Sequence, residues 1–113
     1  MLVAFTFRAK PGKEREFEAL LNSAESGRAA AKAMGATRNT LFLGDGRMVR
    51  TLEFPDDGKP VPMAELAAQD PAFREFLRKI GSLVEDGFDI DRPETLEAFN
   101  KRAFVPFAYD GRP

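Results

Sequence analysis

The chain has 113 residues, enough for one domain with a modest hydrophobic core. Its net charge of −1 excludes the strong positive field that recruits nucleic acid or an anionic membrane. Cysteine and histidine are absent, which excludes disulfides, thiolate nucleophiles, zinc–thiolate sites and the commonest general base.

The first predicted elements are a strand and a long helix. The alternation of large apolar side chains with smaller or polar ones predicts a strand over residues 2–8. One face of this strand carries Val3, Phe5 and Phe7. The helical spacing of apolar residues predicts a helix over residues 13–34. Ser23 to Gly27 is a weak point at which we expect this helix to be interrupted.

A β-hairpin over residues 38–54 follows. Asp45-Gly46 favours a two-residue type I′ turn, because both turn positions need a positive φ. The turn sets the register, so that Leu41 lies opposite Arg50 and Asn39 opposite Leu52. One face of the hairpin is therefore almost wholly apolar, yet it carries Arg50. The other face pairs Phe42 with Val49, Thr40 with Thr51, and Arg38 with Glu53 in a predicted surface ion pair.

The C-terminal half predicts three helices and one strand. A short helix over residues 63–68 precedes Asp70-Pro71, an N-cap and first-turn pair that begins a second helix. Gly87 is expected to end that helix. Asp91 to Glu94 has the form of a capping box that begins a third helix. Residues 104–109 predict a last strand, which a proline restricts to the sheet edge.

This order of elements predicts an α+β fold, a ferredoxin-like βαββαβ sandwich with an extra C-terminal helix, in a single domain over residues 1–113. One helical layer covers one sheet face, but the strands and tail carry more apolar side chains than one face can bury. We therefore expect a homodimer that closes sheet against sheet into a dimeric α+β barrel. No apolar run approaches the ~20 residues of a membrane span, so we expect a cytoplasmic protein without membrane or nucleic-acid partners.

Arg50 and Asn39 are the candidate catalytic residues. A guanidinium among apolar side chains is suited to bind a carboxylate, phenolate or enolate oxygen inside a pocket. The alternative is that the stem of Arg50 packs while its charged head reaches the sheet edge. Asn39, on the same face, is a candidate for orienting a substrate carbonyl or dioxygen, although a residue at a strand start needs no such role.

A flat aromatic pocket is the second candidate feature, because the chain has eleven phenylalanines and no tryptophan. Phenylalanine on strands is more often core than pocket, and that alternative stays open. Tyr109, the only tyrosine, is a candidate hydrogen-bond donor or an interface residue. The candidate substrate-binding residues are Phe5, Phe7, Leu41, Met48, Leu52 and Tyr109. We expect no metal and no bound cofactor.

Two stretches resemble known families. Residues 7–18 resemble the strand-to-helix junction of dimeric α+β barrel proteins, which include antibiotic-biosynthesis monooxygenases and aromatic polyketide cyclases. Residues 47–54 (RMVRTLEF) and 66–75 (LAAQDPAFRE) resemble the SchA/CurD-like family, found with aromatic polyketide and spore-pigment synthases. Members of that family often carry a histidine near the position of Glu65, so no role of that histidine is expected here.

The resemblance implies a role in aromatic polyketide biosynthesis. One hypothesis is a tailoring enzyme, a cyclase or cofactor-free monooxygenase, that acts on a planar polyphenolic intermediate with Arg50 stabilising negative charge. The alternative is a non-catalytic dimeric binding or accessory protein of a polyketide synthase. A third possibility is a structural dimer without a ligand. A cavity filled by phenylalanine side chains at Arg50 would exclude catalysis.

Overall fold

A computed structural model describes residues 1–22 and 24–113, with the side chains of residues 1–21 and 28–113. Its elements are β1 (Leu2–Arg8), α1 (Glu14–Asn22), α2 (Ala24–Met34), β2 (Arg38–Gly44), β3 (Arg47–Glu53), α3 (Met63–Gln69), α4 (Pro71–Leu83), α5 (Pro93–Ala103) and β4 (Phe104–Val105). The helix predicted over 13–34 is assigned as α1 and α2. Ser23, where the predicted weak point begins, lies outside the described residues, and the remainder of that stretch lies within α2.

The four strands form one antiparallel sheet in the order β2-β3-β1-β4. The hairpin register is as predicted, with Leu41 opposite Arg50 and Asn39 opposite Leu52. Asp45 and Gly46 have φ values of 53° and 71°, as a type I′ turn requires. The order of strands and helices confirms the ferredoxin-like α+β fold.

Two clusters of buried side chains hold the helices against one face of the sheet. The first cluster contains Ala30, Met34, Leu52, Phe54, Ala67, Phe73, Leu77, Ile90 and Leu96. The second contains Ala9, Phe17, Met48, Val84, Phe99 and Ala103. Phe5 and Phe88 are partly buried and pack against both clusters, so they mark the region between them.

Helix α4 ends at Leu83, four residues before the predicted end at Gly87. The reason is a tertiary pairing, in which Val84 forms an isolated β-bridge with Ala9 just beyond β1. On either side of this bridge the backbone N–H of Lys10 donates to Leu83 (2.9 Å), and that of Glu85 donates to Arg8 (2.8 Å). The chain therefore becomes extended before any glycine is needed to stop the helix.

The capping box predicted at Asp91 is wrong. Arg92 is the N-cap residue of α5 and makes no side-chain cap hydrogen bond. The Asp91 carboxylate instead accepts hydrogen bonds from Arg78 and Arg74, each at 2.6 Å. These hydrogen bonds lower the pKa of Asp91 well below its usual range. Asp91 therefore fixes the loop before α5 to the exposed face of α4.

The N-cap predicted at Asp70 is confirmed, since its Oδ1 accepts from the backbone N–H groups of Ala72 (3.0 Å) and Phe73 (3.3 Å). Strand β4 lies at the edge of the sheet and pairs with β1, as expected. It ends at Val105, whereas the predicted strand ran to residue 109. Arg38 lies opposite Glu53, yet the described side chains form no ion pair there. In the described part of the chain, no helix has the length and apolar character to cross a membrane.

Candidate functional site

A cavity of about 710 Å³ lies between the helices and the inner face of the sheet. Ligand cavities in proteins typically measure roughly 300–1,000 Å³, so this space suits a planar molecule of several rings. Eight of the eleven phenylalanines line it, namely Phe5, Phe7, Phe17, Phe54, Phe73, Phe76, Phe88 and Phe99. The phenylalanine side chains thus form the walls of the space and do not fill it.

Arg50 is the cation of this cavity. It lies on β3, opposite Phe5 of β1 and Leu41 of β2, and its residue surface is half-buried. Among the described residues no carboxylate pairs with it. Its Nε–H donates a hydrogen bond to Oδ1 of Asn39, at 3.1 Å. Burial lowers the pKa of the Arg50 guanidinium to about 10. The group therefore stays cationic at neutral pH, in surroundings that disfavour its charge.

Asn39 fixes the orientation of the guanidinium. Because Nε–H is a donor, the amide atom that faces it must be the oxygen, which leaves the NH₂ group of Asn39 as a further donor. The terminal nitrogens of Arg50 are donors as well. The pair consequently offers several hydrogen-bond donors and, as acceptor, only the second lone pair of the Asn39 oxygen, an arrangement that suits an oxygen bearing negative charge, as in a phenolate, an enolate or a carboxylate.

The uncompensated charge of Arg50 needs a reason. Burying a cation without a paired anion destabilises a fold, since the lost hydration is not replaced. Around Arg50, the same sheet face carries Leu52 on β3, Leu41 on β2 and Phe5 on β1. An aliphatic residue at position 50 would therefore pack against its neighbours. A ligand that brings its own negative charge is a physical reason to keep an arginine in this place.

Three further polar residues on the cavity wall, Thr40, Glu18 and Asn100, were not predicted as site residues. Glu18 lies on α1, directly after buried Phe17, and its residue surface is exposed. Asn100 lies on α5, directly after Phe99, and is half-buried. Helical spacing carried a signal for Asn100, because it follows inward-facing Leu96 by four residues.

The structure brings most of the predicted site residues together. Arg50 and Asn39 are hydrogen-bonded on the cavity wall. The predicted substrate-binding residues on the same wall are Phe5, Phe7, Leu41 and Leu52. Met48 is fully buried in the second core cluster and does not line the cavity. Tyr109 lies in the C-terminal tail, 83 % exposed and outside the cavity.

The opposite face of the sheet has a different character. Phe42 is 64 % exposed there, and its cross-strand partner Val49 is 37 % exposed. Leu2 and Val105 add apolar surface from β1 and β4. We call these four residues the outer apolar patch. Thr40 and Thr51 are hydrogen-bonded to each other beside it, so their hydroxyl groups are mutually satisfied.

Comparison with known proteins adds three findings. The model of the SchA/CurD like domain matches residues 1–109. The polyketide synthase CurD of Streptomyces cyaneus is 31 % identical over 104 residues, which cover 91 % of this chain and 28 % of that relative. The chain thus spans little more than a quarter of the length of the curated relative it matches.

A solved structure, that of the L-rhamnose mutarotase FA22100 from Formosa agariphila, aligns with a TM-score of 0.53. The alignment covers 74 % of this chain and 79 % of the mutarotase, at 9 % sequence identity. At so low an identity the likeness shows the fold alone.

Proposed function

The chain belongs to the SchA/CurD-like domain family, and on that premise we propose that it acts in aromatic polyketide biosynthesis, as a tailoring enzyme on a planar polyphenolic intermediate. The observation that carries the proposal is Arg50, a cation that has no carboxylate partner among the described residues and lies in a largely apolar cavity of about 710 Å³. The cavity supplies the shape for fused aromatic rings, and Arg50 supplies the charge for an oxyanion.

Substrates of this class provide their own acidity. A methylene group between two ketones loses a proton readily, because the resulting enolate spreads its charge over two oxygens. Arg50 and Asn39 donate hydrogen bonds to such an oxygen and stabilise it in surroundings that exclude most water. This stabilisation is stronger for the anion than for the neutral ketone, which is what acceleration of the step requires.

The reaction that we favour is an intramolecular aldol cyclisation. The methylene proton passes to water and leaves the enolate beside Arg50. The enolate carbon then forms a carbon–carbon bond to a ketone of the same chain, whose π electrons move to its oxygen, and the alkoxide takes a proton from water. Loss of one water molecule, followed by enolisation of the remaining ring ketones, gives the aromatic ring, and no oxidant is consumed.

The test uses the products of a minimal aromatic polyketide synthase, formed with and without this protein and analysed by chromatography and mass spectrometry. We expect a new cyclised product, formed equally in air and under nitrogen, that disappears with Arg50→Met and persists with Arg38→Met. Product that forms in air alone would identify the monooxygenase instead, with O₂ as co-reactant. Equal product from Arg50→Met would overturn the assignment of Arg50.

A non-catalytic binding protein of the synthase is the second candidate. Its support is that Glu18, at an exposed position, is the only carboxylate among the described residues that line the cavity. The described part of the cavity lining therefore contains no buried carboxylate that could act as a general base. For such a protein the intermediate would bind at Arg50, while the set of products in the same assay would stay unchanged.

We also propose that two copies associate through the outer apolar patch. The support is the exposure of Phe42, Val49, Leu2 and Val105 on one sheet face, together with the helices packed on the other face. A second copy of the sheet would cover these side chains and bury their apolar surface. The homodimer remains a prediction.

A further inference from the structure

The wall that α5 contributes to the cavity carries one polar residue, Asn100, among the described residues. Asn100 belongs to α5, which packs over β1, whereas Arg50 and Asn39 belong to the sheet. Its neighbours on the inward side of α5 are Leu96, 1 % exposed, and Phe99, 8 % exposed. Asn100 is therefore the polar exception on a helix face that otherwise packs into the core.

The side chain of Asn100 has no hydrogen-bond partner among the described residues. Its backbone oxygen is occupied, since it accepts from the N–H of Phe104 at the end of the helix. The amide thus presents one donor group and one acceptor to the cavity. An amide that faces apolar walls loses free energy unless a ligand or water bonds to it.

The two walls differ in what they can bind. The Arg50–Asn39 pair offers a positive charge and an excess of donors and suits a charged oxygen, whereas the neutral Asn100 amide can donate to a carbonyl or accept from a hydroxyl. A neutral oxygen function suits Asn100, because its amide carries no charge to balance an anion. A molecule that satisfies both walls has one acidic oxygen and a second, neutral oxygen elsewhere on its ring system.

We propose that Asn100 is a specificity-determining residue, which selects planar ligands that carry a neutral hydroxyl or carbonyl in addition to the anionic oxygen bound at Arg50. This inference rests on the proposed function and adds the pattern of oxygens that the substrate must have. A ligand without the second oxygen leaves the Asn100 amide unpaired, and a site with an unpaired polar group discriminates against such a ligand.

The test compares two probes that differ in one oxygen, 2-naphthoate and 6-hydroxy-2-naphthoate. Both bring a carboxylate to Arg50, and the second also brings a hydroxyl at the far edge of the ring. With the wild-type protein, calorimetric titration at pH 7 should give a Kd about tenfold lower for the hydroxylated probe, as one neutral hydrogen bond allows. In Asn100→Leu, whose side chain is of similar size, the two probes should bind with equal Kd. In Asn100→Gln, which keeps the amide, part of the preference for the hydroxylated probe should remain.

The outcomes separate this inference from the proposed function. Equal affinity for both probes, with Arg50→Met still weakening both, would overturn the role of Asn100 and leave the proposed function standing. A preference for the hydroxylated probe that survives Asn100→Leu would likewise overturn that role. Affinities that do not change in Arg50→Met would overturn the proposed function itself. Circular dichroism of each variant verifies that it is folded.

Discussion

The two faces of the sheet present the same hairpin in two different ways. The inner face carries Arg50 and Asn39 beneath the helices, where an apolar cavity surrounds a charge. The outer face carries Phe42 and Val49, apolar side chains exposed beside a polar threonine pair. On one face, the cation has no anionic partner among the residues with described side chains; on the other face, apolar side chains are exposed to water.

The difference indicates which kind of partner would suit each face. Because side chains alternate along a strand, Val49 and Arg50 are neighbours in sequence and yet point to opposite faces. A small anionic ligand would stabilise the cation, because it can place an opposite charge within hydrogen-bonding distance of the guanidinium. A protein surface would suit the outer apolar patch, because only a large contact area removes all of its side chains from water.

The largest effect is expected from removing the inner cation. Arg50→Met should weaken binding of 2-naphthoate about 100-fold, because truncating one member of a buried charged pair costs roughly 2–5 kcal/mol. Calorimetric titration at pH 7 measures the change. Arg38→Met, which removes an exposed arginine on the outer side of the same hairpin, is the control and should leave the Kd unaltered. Equal losses in the two variants would mean that net charge, and not position, governs binding.

The next effect concerns the outer face. Phe42→Lys should weaken self-association at least about 30-fold, since a buried aromatic anchor typically contributes 2 kcal/mol or more to an interface. Light scattering across a dilution series measures the mass. Ala98→Lys places the same lysine on an exposed position of α5 and should leave the mass unchanged. A monomeric wild-type protein would refute the dimer, and the cavity of the Phe42→Lys variant should still bind 2-naphthoate.

A smaller effect with the opposite sign is expected for stability. Arg50→Met should raise the free energy of unfolding by about 1–3 kcal/mol in the absence of ligand, because a buried charge gives way to an apolar side chain. Urea unfolding at pH 7 measures the change. A site shaped for a ligand commonly costs stability in this way. A variant less stable than the wild type would show that Arg50 has a structural role.

The pH dependence of that difference tests its cause. Burial lowers the pKa of Arg50 to about 10 in the folded protein, below the usual pKa of a guanidinium in the unfolded chain. Between these values the unfolded chain keeps a proton that the native protein has lost, so this group makes the wild type more stable as pH rises through about 10. The stability gap between Arg50→Met and wild type should therefore narrow above pH 10. If the difference in free energy of unfolding stayed constant above pH 10, the added stability of Arg50→Met would come from packing and not from removal of the charge.

The parts that could be predicted from sequence depend on local rules. Asp45-Gly46 fixes the turn, the turn fixes the register, and the register places Arg50 on the inner face. Asp70 caps α4 through its own backbone neighbours. In each case the residues that decide the outcome lie within a few positions of one another, or directly across a hairpin.

The parts that sequence did not reveal depend on contacts between distant segments. Helix α4 ends early because Val84 pairs with Ala9, 75 positions away by residue number. Asp91 binds arginines of α4 where its sequence context favours a cap. Asn100 could be identified as a cavity residue only once α5 was seen to pack over β1 and to line the cavity. Such pairings follow from the tertiary arrangement, which short patterns do not encode.

The central claim is that Arg50 stabilises an oxyanion inside the cavity, and the pKa of a bound phenol tests it most directly. Because 2-naphthol changes its absorbance spectrum on ionisation, its pKa can be measured in free solution and at saturating protein, with Arg50→Met as the comparison. The account predicts that binding to the wild type lowers the pKa of the naphthol by about 1–3 units, as a nearby opposite charge does. With Arg50→Met it should be raised. An unchanged or raised pKa with the wild-type protein would contradict the claim.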